Sequence, residues 1–187
     1  MMDASDAAIV ARVLSGHHDA FETLVRRYQD SLVAYARYMG FDEATAHDLV
    51  QDGFIRAFRH LRKCGDPERF EGWLFKIVSN LCRTAGKKRS KRQMESLQVH
   101  QADLVDMEAD PEQDAEASVL REQIRAALET LPDDQREALV LMYLQGHSVR
   151  DIAEMTQVSV SAVKMRLKRG RDALKGELAP LFFEETR

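Results

Sequence analysis

The sequence predicts an all-α protein in which a flexible acidic linker joins two small helical domains. Apolar residues recur at three- and four-residue steps on both sides of the middle of the 187-residue chain, and no segment alternates as a strand does. Residues 93–117 hold eight acidic side chains and neither Lys nor Arg. Low hydrophobicity with charge of one sign is typical of a flexible linker. We therefore expect domains at 1–92 and 117–187, with the linker at 93–116.

The N-terminal domain shows apolar stripes that end at turn or cap residues. Gly40 is a suitable helix stop, Asp42 a suitable N-cap, and the pair Asp66-Pro67 places a cap before proline in the first helical turn. Trp73 lies on the last stripe, which favours a core position over a stacking role. The expected helices are one near residues 5–15, one from Phe21 to Met39, one from Asp42 to Leu61 and one from Asp66 through Leu81.

The C-terminal domain begins with two helices that are separated by a proline. The first contains Leu120 to Leu128, Leu131-Pro132 breaks it, and the second runs from Pro132 through Leu144 to a stop at Gly146. These two helices precede a shorter motif.

Residues 148–171 have the pattern of a helix-turn-helix. Ser148 is an N-cap candidate with Asp151 three residues later, a weaker form of the capping box. Residues 156–158 form a tight connection, and Ser159 can cap the next helix. Two short helices joined by about three residues follow the helix-turn-helix plan, whose second helix fits the major groove. The side chains that we expect to face inward from this helix are Val160, Val163, Leu167 and Leu174.

The net charge of −4 conceals two basic patches. Residues 83–92 hold six basic side chains and no acid, and residues 161–175 hold six against Asp172 alone. Local patches, more than net charge, determine binding to phosphates. A surface helix that is merely charged would show a more balanced composition. The motif indicates a DNA-binding helix pair, which many activators and repressors share.

The segment from Leu131 to Leu174 resembles region 4 of extracytoplasmic-function (ECF) sigma factors, a group of the sigma-70 family. The likeness rests on Leu131-Pro132, Arg136, the spacing from Gly146 to Ile152-Ala153, and the basic run that starts at Val163. The segments that begin at Ala20, Ala46 and Arg69, the last with Trp73 and Asn80, resemble region 2 of the same family. The resemblance covers nearly all of residues 20–180. Three positions depart from the family pattern: Gly53, Met165 and Gly170.

The resemblance implies an alternative sigma factor that binds RNA polymerase core and directs promoter-specific initiation by reading −10 and −35 elements. The partners it implies are the β′ clamp helices and β flap of the polymerase, promoter DNA and an anti-sigma factor. The implied polymerase contacts are Asp48, Gln51, Asp52, Phe54, Ile55 and Arg56. The implied −10 contacts are Lys63, Lys76, Asn80, Arg83 and Lys87. The implied −35 contacts are Ser161, Lys164, Met165, Arg166, Lys168, Arg169 and Arg171.

The chemistry of residues 51–55 suits the role in polymerase binding. Phe54 and Ile55 beside Gln51 and Asp52 would form an apolar centre with a polar rim. Core packing is the alternative for Phe54, and it is the favoured interpretation for Phe58.

The recognition helix carries two kinds of basic side chain. Lys164, Lys168 and Arg169 should project outward to bases and phosphates. Arg166 and Arg171 flank the inward stripe and should reach phosphates sideways.

No pattern predicts an enzyme, a cofactor, a metal site or a small-molecule substrate. The six histidines do not pair with Cys64 or Cys82 at zinc-like spacing, and no phosphate-binding glycine loop is present. We expect a cytoplasmic protein without direct membrane insertion, because no signal peptide or long apolar run is evident. The competing function is a helix-turn-helix activator or repressor whose N-terminal half senses a ligand.

Overall fold

The computed structural model describes residues 4–96 and 115–183, and within them every regular element is helical. This confirms the predicted all-α class. Short 3-10 turns occur at His18–Ala20, Leu61–Cys64 and Pro67–Arg69, and a π-helical turn occurs at Val140–Leu144. The α-helices are α1 (Asp6–Leu14), α2 (Phe21–Tyr38), α3 (Glu43–Arg59), α4 (Phe70–Ser96), α5 (Ala115–Glu129), α6 (Asp133–Leu139), α7 (Val149–Thr156) and α8 (Val160–Phe183).

Helices α1 to α4 form the N-terminal half around a core rich in aromatic residues. The Phe21 ring makes edge contacts with Phe54 and Phe70, with centroids 6.4 Å apart in each pair. Helix α1 is fastened to α2 because the Asp6 carboxylate accepts hydrogen bonds from Arg27 and from the Tyr28 hydroxyl. Because these contacts hold the bundle together, one face of α3 and one face of α4 point outward in a fixed orientation.

The turn before α3 follows the predicted chemistry. Gly40 has a φ of 85°, a conformation that glycine adopts readily, and it ends the α2 segment. The Asp42 carboxylate then caps α3 by accepting a hydrogen bond of 2.9 Å from the Thr45 backbone N–H. Hydrogen bonds from the Thr45 N–H and hydroxyl lower the pKa of Asp42. These local contacts fix where α3 begins.

Two glycines allow helices to pack at short range. A Cβ atom added at Gly53 would lie 2.5 Å from Val78 Cγ2, so α3 and α4 approach each other at a point where only glycine fits. A Cβ at Gly170 would lie 2.8 Å from Leu139 Cδ1, between α8 and α6. Helix packing therefore accounts for two of the three positions that depart from the family pattern.

Helices α5 to α8 form the C-terminal half. Its core includes Leu141, Ile152 and Val163, each fully buried. The Arg136 guanidinium, 6% exposed, donates hydrogen bonds to the carbonyls of Leu128, Glu129 and Leu131. These carbonyls lie at and just after the end of α5 and have no continuing helix to bond them. Arg136 thus joins α5 to α6.

The two halves are in contact with each other. The Phe75 ring on α4 meets the His147 ring in an edge contact, with centroids 4.7 Å apart. Arg136 also donates a hydrogen bond of 3.3 Å to the Met39 carbonyl, and Arg69 forms an ion pair with Glu154 of α7. The contact therefore extends from the end of α2 to the start of the helix-turn-helix.

Three details differ from or refine the sequence expectations. Helix α4 continues to Ser96, past the predicted boundary at residue 92, and α5 already begins at Ala115. Lys, Arg, Gln, Met and Glu are good helix formers even without an apolar stripe, which explains the extension. The rest of the predicted linker, residues 97–114, lies outside the described residues. Val160 does not face inward as expected, because its side chain in the first turn of α8 is 39% exposed.

Trp73 is half-buried and packs against the core beside Phe70, in agreement with the expected core position. Among the described helices, none is both long and apolar enough to cross a membrane.

Candidate nucleic-acid interface

Helices α7 and α8 form the predicted helix-turn-helix, and local side chains fix both helix starts. The Ser148 side chain accepts a hydrogen bond from the Asp151 N–H, and the Asp151 carboxylate accepts one from the Ser148 N–H. The Ser148 hydroxyl also donates a hydrogen bond to the Asp151 carboxylate, and this bond, followed by the one from the Ser148 N–H, lowers the pKa of Asp151. Gln157 ends α7 with a φ of 58°, and Ser159 caps α8 through a 3.1 Å hydrogen bond from Ala162 N.

The outward face of α8 is basic and open to solvent. Ser161, Lys164, Lys168 and Arg169 are exposed, and Met165 is 49% exposed among them. No carboxylate in the described part of the chain lies within ion-pair distance of Lys164, Lys168 or Arg169. The face thus offers free donors beside one apolar contact, a combination that suits base edges and phosphates in a major groove.

Two basic side chains of α8 are held by other elements. Arg166 Nε lies 3.1 Å from Asp134 Oδ2 of α6, and the Arg166 side chain is 26% exposed. Arg171 Nη1 donates a 2.9 Å hydrogen bond to the Tyr143 hydroxyl. Tyr143 is 57% exposed and was not anticipated from the sequence, because no local pattern links it to a residue 28 positions later. Arg166 and Arg171 therefore flank the open face in fixed positions.

A second row of polar and basic side chains follows α4. Lys76, Asn80, Arg83 and Lys87 recur at steps of four, three and four, which places them along one side of the helix. Asn80 and Lys87 are exposed, and Lys63 is exposed on the turn before the helix. Lys76 is half-buried and lines a cavity between the halves, together with Trp73, His147, Asp151 and Met155. The structure thus places four of the expected −10 residues along one side of α4, where Lys76 and Arg83 are only partly exposed.

Arg83 belongs to a buried polar cluster. Its guanidinium donates hydrogen bonds to Asn80 Oδ1 at 2.9 Å and to Ser79 Oγ at 2.7 Å, and it lies 3.3 Å from Glu137 Oε1. Ser79 and the Tyr35 hydroxyl also donate to Glu137. The roles of Glu137, Tyr35 and Ser79 are not evident from the sequence, because the hydrogen-bonded pairs are 58 and 102 positions apart and leave no local pattern.

Burial raises several pKa values along this contact. Burial is the main cause that raises the pKa of Tyr35 well above its ordinary value, and the Glu137 carboxylate is the second. The same two causes raise the pKa of the Cys82 thiol to about 12. Burial lowers the pKa of His147, whose ring lies on Phe75. These groups are accordingly neutral at physiological pH.

The outer face of α3 is the expected polymerase surface. Asp48, Gln51, Asp52, Ile55 and Arg56 are exposed, as a docking surface requires. Phe54 is 7% exposed and packs against Phe21, so the expectation that it forms the apolar centre of this surface is wrong. Phe58 is 40% exposed, and Ile55 is 41% exposed. The large apolar side chains exposed on α3 are therefore Ile55 and Phe58, because the bundle covers the other side of the helix.

The described residues contain no cluster of three or more His, Cys, Asp or Glu side chains that could hold a metal ion. Cys64 and Cys82 are both free thiols.

Comparisons with known proteins cover both halves of the chain. The sigma-70 region 2 family matches residues 24–92, and the sigma-70 region 4 family matches residues 121–174. The chain is 32% identical over 187 residues to the RNA polymerase sigma-H factor of Pseudomonas aeruginosa, with 96% of each protein covered. It is 33% identical over 160 residues to the ECF RNA polymerase sigma factor SigE of Mycolicibacterium smegmatis. That alignment covers 86% of this chain, and this chain spans only 62% of the length of SigE.

A solved structure has a similar fold. The sigma factor RpoE of Bartonella quintana, in complex with the anti-sigma factor NepR, matches this chain with a TM-score of 0.68 and 26% identity. The match covers 85% of this chain and 96% of that one. The chain is also 30% identical to the ECF RNA polymerase sigma-E factor of Haemophilus influenzae, with 95% of this chain and 97% of that protein covered. With both regions present in order, and with relatives matched over almost their full length, the chain belongs to the extracytoplasmic-function sigma factors of the sigma-70 family.

Proposed function

We propose that this chain binds RNA polymerase core in the cytoplasm and directs promoter-specific initiation, without catalytic activity of its own. One observation carries the proposal: a single chain presents a basic recognition helix, a second polar and basic row on α4, and an exposed amphipathic face on α3. An activator requires only the first of these surfaces. The division into residues 1–92, 93–116 and 117–187 is part of the proposal, with the first unit extended to the end of α4.

Helix α8 is assigned to the −35 element. Lys164, Lys168 and Arg169 are exposed and can donate hydrogen bonds to guanine edges or phosphates. Met165 offers an apolar contact of the kind that suits a thymine methyl group. Arg171, held by Tyr143, is placed at the side of the face and is assigned to the phosphate backbone.

The row on α4 is assigned to the −10 element. Melting a promoter requires bases that leave the stack, and such bases are held by polar side chains and by charges that follow the backbone. Asn80 has both amide donors and an acceptor for a base edge, and Lys63 and Lys87 are exposed for phosphates. Lys76 and Arg83 complete the set once the contact between the halves is released.

The face of α3 is assigned to the clamp helices of the polymerase. Asp48, Gln51 and Asp52 surround Ile55 at the surface, an apolar centre with a polar rim. Phe58 extends the apolar centre and replaces Phe54 in the assignment. The β flap is the second polymerase contact that we propose, on the C-terminal half.

An anti-sigma factor is the proposed regulatory partner. The Bartonella relative was solved in complex with an anti-sigma factor, and the match covers most of both chains. We extend this partnership to the present chain as part of the proposal.

The test is transcription with reconstituted polymerase. Core enzyme that lacks any sigma factor is mixed with this chain and genomic DNA, and the RNA 5′ ends are sequenced. We expect discrete start sites that share two upstream elements. A helix-turn-helix activator or repressor would give no discrete starts until another sigma factor was added.

A further inference from the structure

The Glu137 carboxylate occupies a binding site that belongs to the other half of the chain. Glu137 lies on α6 and is 3% exposed. It accepts hydrogen bonds from the Tyr35 hydroxyl at 3.1 Å and from the Ser79 hydroxyl, and Arg83 Nη2 lies 3.3 Å from it. Two hydroxyl donors and a guanidinium on α2 and α4 form a receptor for a carboxylate.

This arrangement exists only while the halves are together. A buried carboxylate is stable only when it is paired and hydrogen-bonded. The donors to Glu137 stand on α2 and α4, so separation of the halves would return the carboxylate to water. Separation would also expose the Phe75 ring, which is 1% exposed and lies against His147.

Further contacts continue the interface on both sides of Glu137. Arg136, the neighbour of Glu137, donates to the Met39 carbonyl at the end of α2. At the other end, Met155 packs over Gly72, and Arg69 pairs with Glu154. The Arg69–Glu154 pair is more than half exposed and contributes little. The buried Glu137 site is therefore the contact whose loss should matter most.

The same interface covers part of the proposed −10 surface. Arg83 is engaged with Glu137, and Lys76 lines the cavity between α4 and α7. A single strand that required Arg83 would have to displace Glu137 first.

We propose that Glu137 is an internal latch: region 4 docks on the Tyr35–Ser79–Arg83 site of region 2, and this closed form withholds Arg83 from the −10 strand. Docking of the two halves does not depend on the proposed function. The inhibition of −10 binding does, because it rests on the proposed role of this chain at promoters. When only the open form binds a ligand, the apparent affinity is the intrinsic affinity multiplied by the fraction of molecules that are open. Core polymerase and promoter DNA would favour the open form by binding it better than the closed one.

The first test uses the full chain with Glu137→Gln, which preserves shape and removes the charge. Glu122→Gln is the matched control, because Glu122 is exposed on α5 and pairs with Arg125 within that helix. Trp73, the only tryptophan, lines the cavity between the halves and reports opening without a label. We expect Glu137→Gln to red-shift Trp73 emission and to enlarge the radius of gyration by small-angle scattering, with helicity by circular dichroism unchanged. Glu122→Gln should match the wild type.

The second test measures binding of a fluorescent −10 single strand to the full chain. Glu137→Gln should raise the affinity by about tenfold, because hydrogen bonds to a charged acceptor become weaker bonds to a neutral one in the closed form alone. The double variant Tyr35→Phe/Ser79→Ala removes two donors from the other side and should give a gain in the same direction. It leaves the proposed DNA-binding side chains in place.

Several outcomes would overturn the latch. A wild-type chain as extended as Glu137→Gln would exclude closure. Variants that keep wild-type emission and radius with intact helicity would exclude Glu137 as the group that holds the halves together. Opening without any gain in single-strand affinity would exclude the inhibitory role. Failure of the proposed function is seen separately, as an absence of discrete start sites with core polymerase.

Discussion

Gly53→Ala should destabilise the protein although the residue lies inside a helix. Alanine is favoured over glycine there by about 1 kcal/mol. Against this gain, the new methyl group would lie 2.5 Å from Val78 Cγ2, and Val78 is fully buried. Its β-branched side chain has few alternative rotamers, and overpacking of a core costs roughly 1–3 kcal/mol. We expect the free energy of unfolding to fall by about 1 kcal/mol, the difference between these terms.

Gly86→Ala is the matched control for this prediction. Gly86 lies inside α4, and a Cβ there would meet nothing within 4 Å, so the propensity gain of up to about 1 kcal/mol should appear undiminished. Urea denaturation followed by circular dichroism gives both free energies, with unchanged m-values as the check on two-state behaviour. If Gly53→Ala proves as stable as Gly86→Ala, the close approach of α3 and α4 is refuted.

Three further predictions concern the interfaces and pH. Arg169→Ala should lose about 1–3 kcal/mol of binding free energy to a −35 duplex and relax the preference at one base pair. Arg171→Ala should instead weaken binding to all duplexes alike and lower the slope of log affinity against log salt concentration by about one unit. Binding of the full chain to single-base variants across a salt series measures both, and a uniform loss in Arg169→Ala would contradict the base-reading role. Asp52→Arg should weaken binding to core polymerase while leaving the circular dichroism intact; native affinity would exclude this face. Burial lowers the pKa of His147, so the unfolded state binds protons more readily, and stability should be full above about pH 6.5 and decline below it. His147→Gln should reduce that decline in urea titrations, and an unchanged decline would argue against the buried ring as its source.

Local chemistry is the part of the fold that the sequence predicts well. The caps at Asp42 and Ser148 and the stop at Gly40 depend on residues within a few positions, and the structure has each of them. The helix-turn-helix was predictable for the same reason, since its spacing and its one-sided charge lie within a single segment.

The faces of α3 and the contact between the halves were harder to predict. Phe54 and Phe58 lie one turn apart and both rings contact Phe21, yet Phe54 is 7% exposed and Phe58 is 40% exposed. Such a difference depends on tertiary packing and not on helical spacing. The Glu137 site joins residues as far as 102 positions apart, so no periodicity could indicate it. The close approach at Gly53 is likewise a property of two helices, not of one.

Strand opening at a promoter is the step that distinguishes a sigma factor from a helix-turn-helix activator or repressor. A promoter identified from the sequenced start sites is incubated with core polymerase, this chain, or both, and unpaired thymines are detected by their reaction with permanganate. We expect reactive thymines at the −10 element only when core polymerase and the chain are both present. Opening that requires a different sigma factor, or a duplex that stays closed with both components, would contradict it.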